Sequence, residues 1–172
     1  NLAMLAAPFY ITYALDVLAL PERVAGRYTS IGVVGTIGAA LLFGWLNERH
    51  GTKLTCQVSV LVTMAIPLLA LAIPWIIKDA TWLAWAYGLV FLANNASMSS
   101  FLPGWTAYVL EWAPEADRPI YVGLTNTLNG ITALMSIIGG AILQWTGDNY
   151  AILFAITAIG TFAAYPLTRS LP

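Results

Sequence analysis

Ten consecutive residues hold the densest charge in this chain: Gly44-Trp45-Leu46-Asn47-Glu48-Arg49-His50-Gly51-Thr52-Lys53. An acid beside two bases, set between glycines, suits ion pairing and backbone reversal rather than bond making. A carboxylate such as Glu48 can face the positive end of a neighbouring helix dipole. A guanidinium such as Arg49 can hold an acid on another segment. Gly51 can take positive φ, and Gly44 lets another helix come close. The sole histidine, His50, stands next to Arg49 and reads as a solvated loop residue. The sequence offers no cluster of metal ligands and no nucleophile–base pair. It therefore reads as neither an enzyme nor a metalloprotein, and it implies no cofactor. The lone Cys56 excludes an intrachain disulfide and a cysteine-based zinc site. It reads as a small residue in an apolar run.

A second group of chemically able residues lies inside the apolar runs. Tyr10, Thr12 and Tyr13 form one set, Asn94, Asn95, Ser97, Ser99 and Ser100 another, and Thr125, Asn126, Asn129 and Thr132 a third. Polar groups at such depth either line a pathway or bond between helices. Asparagine brings both donor and acceptor, and tyrosine adds an aromatic face. Asn126 and Asn129 read as structural. No ionisable residue stands in the middle of a run. Asp16 comes nearest, but it lies close to a helix end and reads as an interfacial acid near Arg23. A proton relay needs a buried titratable group, so a relay serving this protein would sit in a part of the protein outside this chain.

The elements that must position these groups follow from composition. Of 172 residues, 59% are hydrophobic and 9% are charged, where a soluble domain carries roughly 25% charged residues. Lipid is therefore the main solvent. A net charge of −1 offers nucleic acid no basic patch. A spanning helix needs about 20 mostly apolar residues. The sequence predicts six spans, at about 1–18, 25–46, 54–76, 81–102 (extending towards 112), 119–145 and 149–168. The breaks are Leu20-Pro21-Glu22-Arg23, Lys78-Asp79, Ala113 to Pro119, and Thr146-Gly147-Asp148-Asn149, with Pro119 suited to a first helical turn. The runs are apolar on all sides, unlike the alternating segments of a membrane barrel. Pro103-Gly104 is the strongest candidate for a bend. Trp45, Trp75, Trp82, Trp105, Trp112 and Trp145 lie near helix ends and read as interfacial anchors, with Trp85 one turn deeper than Trp82. Gly32, Thr36, Ala40 and Gly44 recur every four residues as one small face, and Gly123, Thr127, Gly130 and Leu134 form a looser counterpart. Asn1 opens directly into apolar sequence without a basic leader, so the chain reads as a piece of something longer rather than as one with a signal peptide.

The charged segment resembles the signature loop of the major facilitator superfamily of secondary transporters, approximately Gly-x-Leu-Ala-Asp-Arg-x-Gly-Arg-Arg/Lys. Gly44, Leu46, Arg49, Gly51 and Lys53 match, Glu48 replaces the acid conservatively, and Thr52 stands where a second base is common. Glu111-x-x-Pro114-Glu115-x-x-Arg118-x-x-Tyr121-x-Gly123 resembles the fourth-to-fifth helix connection of the same family. The resemblance implies an all-α membrane protein: six transmembrane helices as a three-plus-three inverted repeat, one half of a twelve-helix transporter. The fourth span holds no Arg, and the fifth ends Ile137-Ile138-Gly139-Gly140 without Pro, which favours the C-terminal half with an N-terminal six-helix half missing.

The resemblance also implies roles. Glu48 would face the helix begun by Pro119, and Arg49 would reach Glu111. Gly44, Glu48, Arg49, Gly51, Lys53, Glu111 and Arg118 together would form a conformational latch. First and fourth helices line the family's cavity, which makes Tyr10, Tyr13, Asn94 and Asn95 the candidate substrate contacts. The expected function is secondary active transport of a small solute by alternating access, with a coupling proton or ion and the lipid bilayer as partners. The alternatives are a non-transporting membrane scaffold or sensor of the same fold, or a half-size transporter acting as a homodimer. Arg49, Lys53, Arg118 and Arg169 on one side against Arg23, Arg27 and Lys78 on the other favour a cytoplasmic 47–53 loop in a plasma (inner) membrane.

Overall fold

The computed structural model describes residues 2–132 and 134–169. Asn1, Ala133 and the side chain of Arg169 lie outside that description. Among the described residues the chain is helical throughout, with no strand.

The first expected span is irregular. A 3₁₀ turn, Leu2–Leu5, precedes helix α1, Phe9–Thr12, which passes directly into a π turn, Tyr13–Val17. Pro8 supplies no N–H and starts α1 afresh. The π turn closes with Leu18 N–H on Tyr13 O at 3.1 Å, and Ala19 then reverses the chain at φ 49°.

The largest departure from expectation lies at the charged segment. Helix α2, Val24–Ile76, consists of two helical arms that meet at a kink, and residues 44–50, read as part of a loop, continue the first arm. Only Gly51 leaves helical geometry, at φ 83° and ψ 169°, a region essentially reserved for glycine. The expected second and third spans therefore fall on the arms 24–50 and 52–76, joined by one residue. At about 1.5 Å per residue each arm is longer than the ~30 Å of a hydrocarbon core. Among the described residues two helical stretches are long and apolar enough to cross a membrane, Val24–Ile76 and Glu115–Thr146.

Where the fourth span was expected lie α3 (Ala80–Ala86), α4 (Gly88–Ser99), a π turn (Phe101–Thr106) and α5 (Ala107–Trp112). Asp79 caps α3 by accepting from Thr81 N and Trp82 N, each at 3.0 Å. Pro103, which lacks an N–H, falls inside the π turn, so the bend expected there is a local change of helical pitch. After a 3₁₀ turn, Glu115–Asp117, the fifth span divides into α6 (Arg118–Thr132) and α7 (Met135–Thr146), not the unbroken 119–145 helix expected. The sixth is α8, Tyr150–Arg169. Gly147 and Asp148, both at positive φ, make the tight turn before it.

Contacts along α4 show how the two arms of α2 run. Arg27 meets Ala84, Gly35 meets Leu92, and Thr36 O accepts from Ser99, so the first arm is parallel to α3–α4. Thr63 bonds Ser97, Ser59 bonds Ser100, and Thr52 bonds Glu111, so the second arm is antiparallel. Gly51 thus closes a helical hairpin, and α4 crosses from one arm to the other.

The face that packs on α4 within this bundle differs from the 32–36–40–44 stripe. Val24, Tyr28, Gly32, Gly35, Ala39 and Phe43 are the buried residues of the first arm. A Cβ on Gly35 would lie 2.7 Å from Leu92 O, and one on Gly32 would lie 2.6 Å from the Asn95 amide. Of the expected stripe Gly32 packs on α4, and Thr36 meets it through its carbonyl alone, which accepts from Ser99. Thr36 and Ala40 are exposed, and nothing lies within 4 Å of a Cβ on Gly44. A strict spacing of four drifts about 40° per step around a helix of 3.6 residues per turn, whereas 32, 35, 39 and 43 hold one line.

Candidate functional site

Tyr10 and Tyr13 come together with Tyr87 and Phe154 where α1 meets α4 and α8. Tyr10 is buried, its ring 5.0 Å from that of Phe154, and its carbonyl accepts from the Tyr87 hydroxyl at 3.1 Å. Tyr13 is half-buried, with ring centroids 5.3 Å from Phe154, 5.4 Å from Tyr150 and 6.2 Å from Tyr87. Tyr28 extends the cluster through a stacked contact with Phe91 at 4.7 Å. Tyr10 therefore serves as packing, and Tyr13 is the ring of the pair with an open side.

Helical spacing then sorts the amides and hydroxyls of α4 by direction. Asn95 faces the first arm of α2: its amide lies against Gly32 and donates to Phe91 O at 3.0 Å. Ser99 also turns that way, onto Thr36 O at 3.1 Å. Ser97 and Ser100 turn the other way and bond Thr63 and Ser59 of the second arm. Asn94 shares a face with Tyr87, Phe91 and Met98, at spacings of four, three and four. It is half-exposed and makes no hydrogen bond among the described residues. Of the four candidate contacts, Asn94 and Tyr13 have the more open surroundings, whereas Tyr10 is buried in the aromatic cluster and Asn95 is turned onto Gly32 with its amide on Phe91 O.

Sequence reading missed the hydroxyl ladder. Thr55, Ser59 and Thr63 repeat every four residues on the second arm, opposite Ser97, Ser100 and the Gly104 that packs on Thr55 and Cys56. That periodicity was present in the sequence and could have found it.

At the Gly51 end, Thr52 Oγ1 donates to Glu111 Oε2 at 2.5 Å and ties the hairpin to the end of α5. The expected partner of Glu111 was Arg49. Arg49 instead lies with its guanidinium 5.7 Å from the Trp45 ring centroid, and the His50 ring sits 5.7 Å from the same indole. The helix runs on through residues 47–50, which carries Arg49 to the outer surface and leaves the first residue past Gly51 nearest to α5. Glu48 is exposed and makes no bond among the described residues. Arg118 pairs with Glu115 at 4.0 Å across one exposed turn, and Lys53, half-buried, flanks Thr52. The threonine standing in place of a base thus supplies the contact between the two segments.

Among the described residues no group of acids, histidines and cysteines could hold a metal ion. No curated protein matches the chain significantly, and no solved structure does. One family model matches residues 2–171, nearly the whole chain. That match, together with the helical fold and the hairpin closed at Gly51, shows that this chain belongs to the Major Facilitator Superfamily of membrane transporters.

Proposed function

We propose that the chain is the C-terminal six-helix half of a secondary transporter that moves a small solute across the plasma membrane by alternating access. The observation that carries this reading is the division of labour on α4. One side bonds each arm of the hairpin, and the third side presents Asn94 with unused hydrogen-bonding capacity below an aromatic wall that includes Tyr13. A polar group without a partner at membrane depth is costly, and a solute or water in a central pathway removes that cost. The outward faces support a partner bundle. No residue of α6 is buried, and on the first arm Thr36 and Ala40 are exposed small residues that permit close helix approach. The six spans are the first irregular helix, the two arms of α2, α3 to α5, α6 with α7, and α8. The 47–53 segment lies on the cytoplasmic side, with Glu48, Arg49, Thr52, Lys53, Glu111 and Arg118 forming the latch.

Thiol accessibility tests the reading. In full-length protein carrying Cys56→Ala and Asn94→Cys, a membrane-impermeant maleimide applied separately to each face of oriented vesicles should label the cysteine from both sides. Protection from both sides would mean a sealed centre, and the scaffold reading would replace transport.

A further inference from the structure

The end of the molecule opposite Gly51 carries a cleft of about 380 Å³ that neither the transport pathway nor the latch uses. Its walls are the reversal at Ala19-Leu20-Pro21, the start of α2 at Arg23, Val24 and Arg27, and one side of α3 at Ala80, Thr81, Ala84 and Trp85. Arg23 and Arg27 stand one helical turn apart, so two like charges share one wall and repel. Neither makes an ion pair among the described residues. Arg27 is held in place from two directions: one terminal nitrogen donates to Ala84 O at 2.6 Å, and the guanidinium lies 4.2 Å from the Trp85 ring centroid. Its Nε is shut off from solvent and has no partner. That buried Nε does not open onto the cleft, but the outer nitrogens of the fixed guanidinium keep N–H donors beyond the one given to Ala84 O, of the kind that oxyanions accept. The nearby acids do not fill the role: Asp79 is engaged in capping α3, and Glu22 is exposed.

We infer that this cleft is an anion site that takes a phosphate group between Arg23 and Arg27, with the Thr81 hydroxyl as a third donor. A tetrahedral oxyanion presents oxygens to all three, where a carboxylate would satisfy two. The remaining wall, Ala19, Leu20, Pro21, Val24, Ala80 and Ala84, is apolar and accepts the glycerol or upper acyl portion of a lipid. Trp82 and Trp85, both exposed beside the cleft, set it at headgroup depth. Free inorganic phosphate offers the same oxygens, and the experiment separates the two sources.

The test uses the purified full-length transporter in detergent, titrated by calorimetry with dihexanoyl-phosphatidylglycerol, with dihexanoylglycerol lacking the phosphate, and with inorganic phosphate. The phosphodiester should bind and dihexanoylglycerol should not. Arg23→Gln touches no other described group and should fold normally by gel filtration. It should weaken phosphodiester binding by about fivefold or more, and Arg23→Lys should recover most of the loss. Displacement of the phosphodiester by equimolar inorganic phosphate would make the physiological ligand a free oxyanion, and retention would make it a lipid headgroup. Equal binding of dihexanoylglycerol, or wild-type affinity in Arg23→Gln, would overturn the proposal.

Discussion

Gly35 and Gly38 lie three residues apart on the same arm and should respond to the same substitution with opposite signs. An alanine Cβ at 35 would meet Leu92 O at 2.7 Å, a backbone atom that cannot swing away. Forcing such overlap costs about 1–3 kcal/mol, more than the gain of up to ~1 kcal/mol that alanine brings to a helix interior. A Cβ at 38 meets nothing within 4 Å, so Gly38→Ala keeps that gain. Thermal unfolding in detergent should show Gly35→Ala destabilised and Gly38→Ala unchanged or raised. The reverse order would put the close face on the 32–36–40–44 line. Gly51 differs again, because its neighbourhood is open but its φ of 83° and ψ of 169° are not available to other residues. Gly51→Ala should therefore cost about 1–3 kcal/mol through backbone strain alone, visible as a lower unfolding midpoint. The need for positive φ at Gly51 was legible in the sequence, since a glycine after a helical run with charge on both sides is a turn signal. The face that packs on α4 was not, because a fixed spacing of four matches small residues by identity while packing follows the 3.6-residue turn.

Helical elements were legible wherever apolar length alone decides them. The outer ends of most spans fall within a residue or two of expectation, and the extension of the fourth to Trp112 is present. Interruptions were harder to read. The sequence marks Pro103 but does not say that the answer there is a π turn, because the choice of partner carbonyl depends on packing against other helices. Nor does it fix which neighbour a polar side chain addresses, so Asn94 and Asn95 looked alike although successive residues point about 100° apart. The second arm of α2 and α4 illustrate how such groups hold elements together. Ser59 with Ser100 and Thr63 with Ser97 form two hydroxyl pairs along one seam. Apolar surface gives little drive for association in lipid, so these pairs and close packing carry the contact. A double-mutant cycle on Ser59→Ala and Ser100→Ala should give a coupling of about 0.6 kcal/mol, and no more than ~1.7 kcal/mol. Ser100 also donates to Ser97 O at 2.6 Å, so Ser100→Ala alone should cost more than Ser59→Ala. Zero coupling would leave the Thr63–Ser97 pair and the packing at Gly104 to hold the seam.

Across the whole molecule the two ends are built differently, and the difference bears on conformational balance. At one end the rigid cluster of Tyr10, Tyr28, Tyr87 and Phe154 locks α1, α2, α4 and α8 together. At the other, an exposed hydrogen bond from Thr52 to Glu111 ties the hairpin to α5. A single bond to a charged acceptor is worth up to about 1.5–3 kcal/mol when shielded and less when solvent competes. A bias of ~1.4 kcal/mol shifts a two-state ratio tenfold, enough to alter which face of a transporter is open, provided the bond exists in one state only. Thr52→Val keeps shape and removes the donor, so it should favour the conformation open at the Gly51 end. In the Cys56→Ala, Asn94→Cys background, maleimide labelling from that end should rise by roughly three- to tenfold relative to labelling from the other. Glu111→Gln retains an acceptor oxygen and should produce a smaller shift in the same direction. Arg49→Ala should leave the ratio nearly unchanged, because Arg49 lies on Trp45 rather than on Glu111. Should Arg49→Ala shift the ratio while Thr52→Val does not, the arginine would form its pair with Glu111 in the opposite conformation. The latch would then act by exchanging one partner for the other.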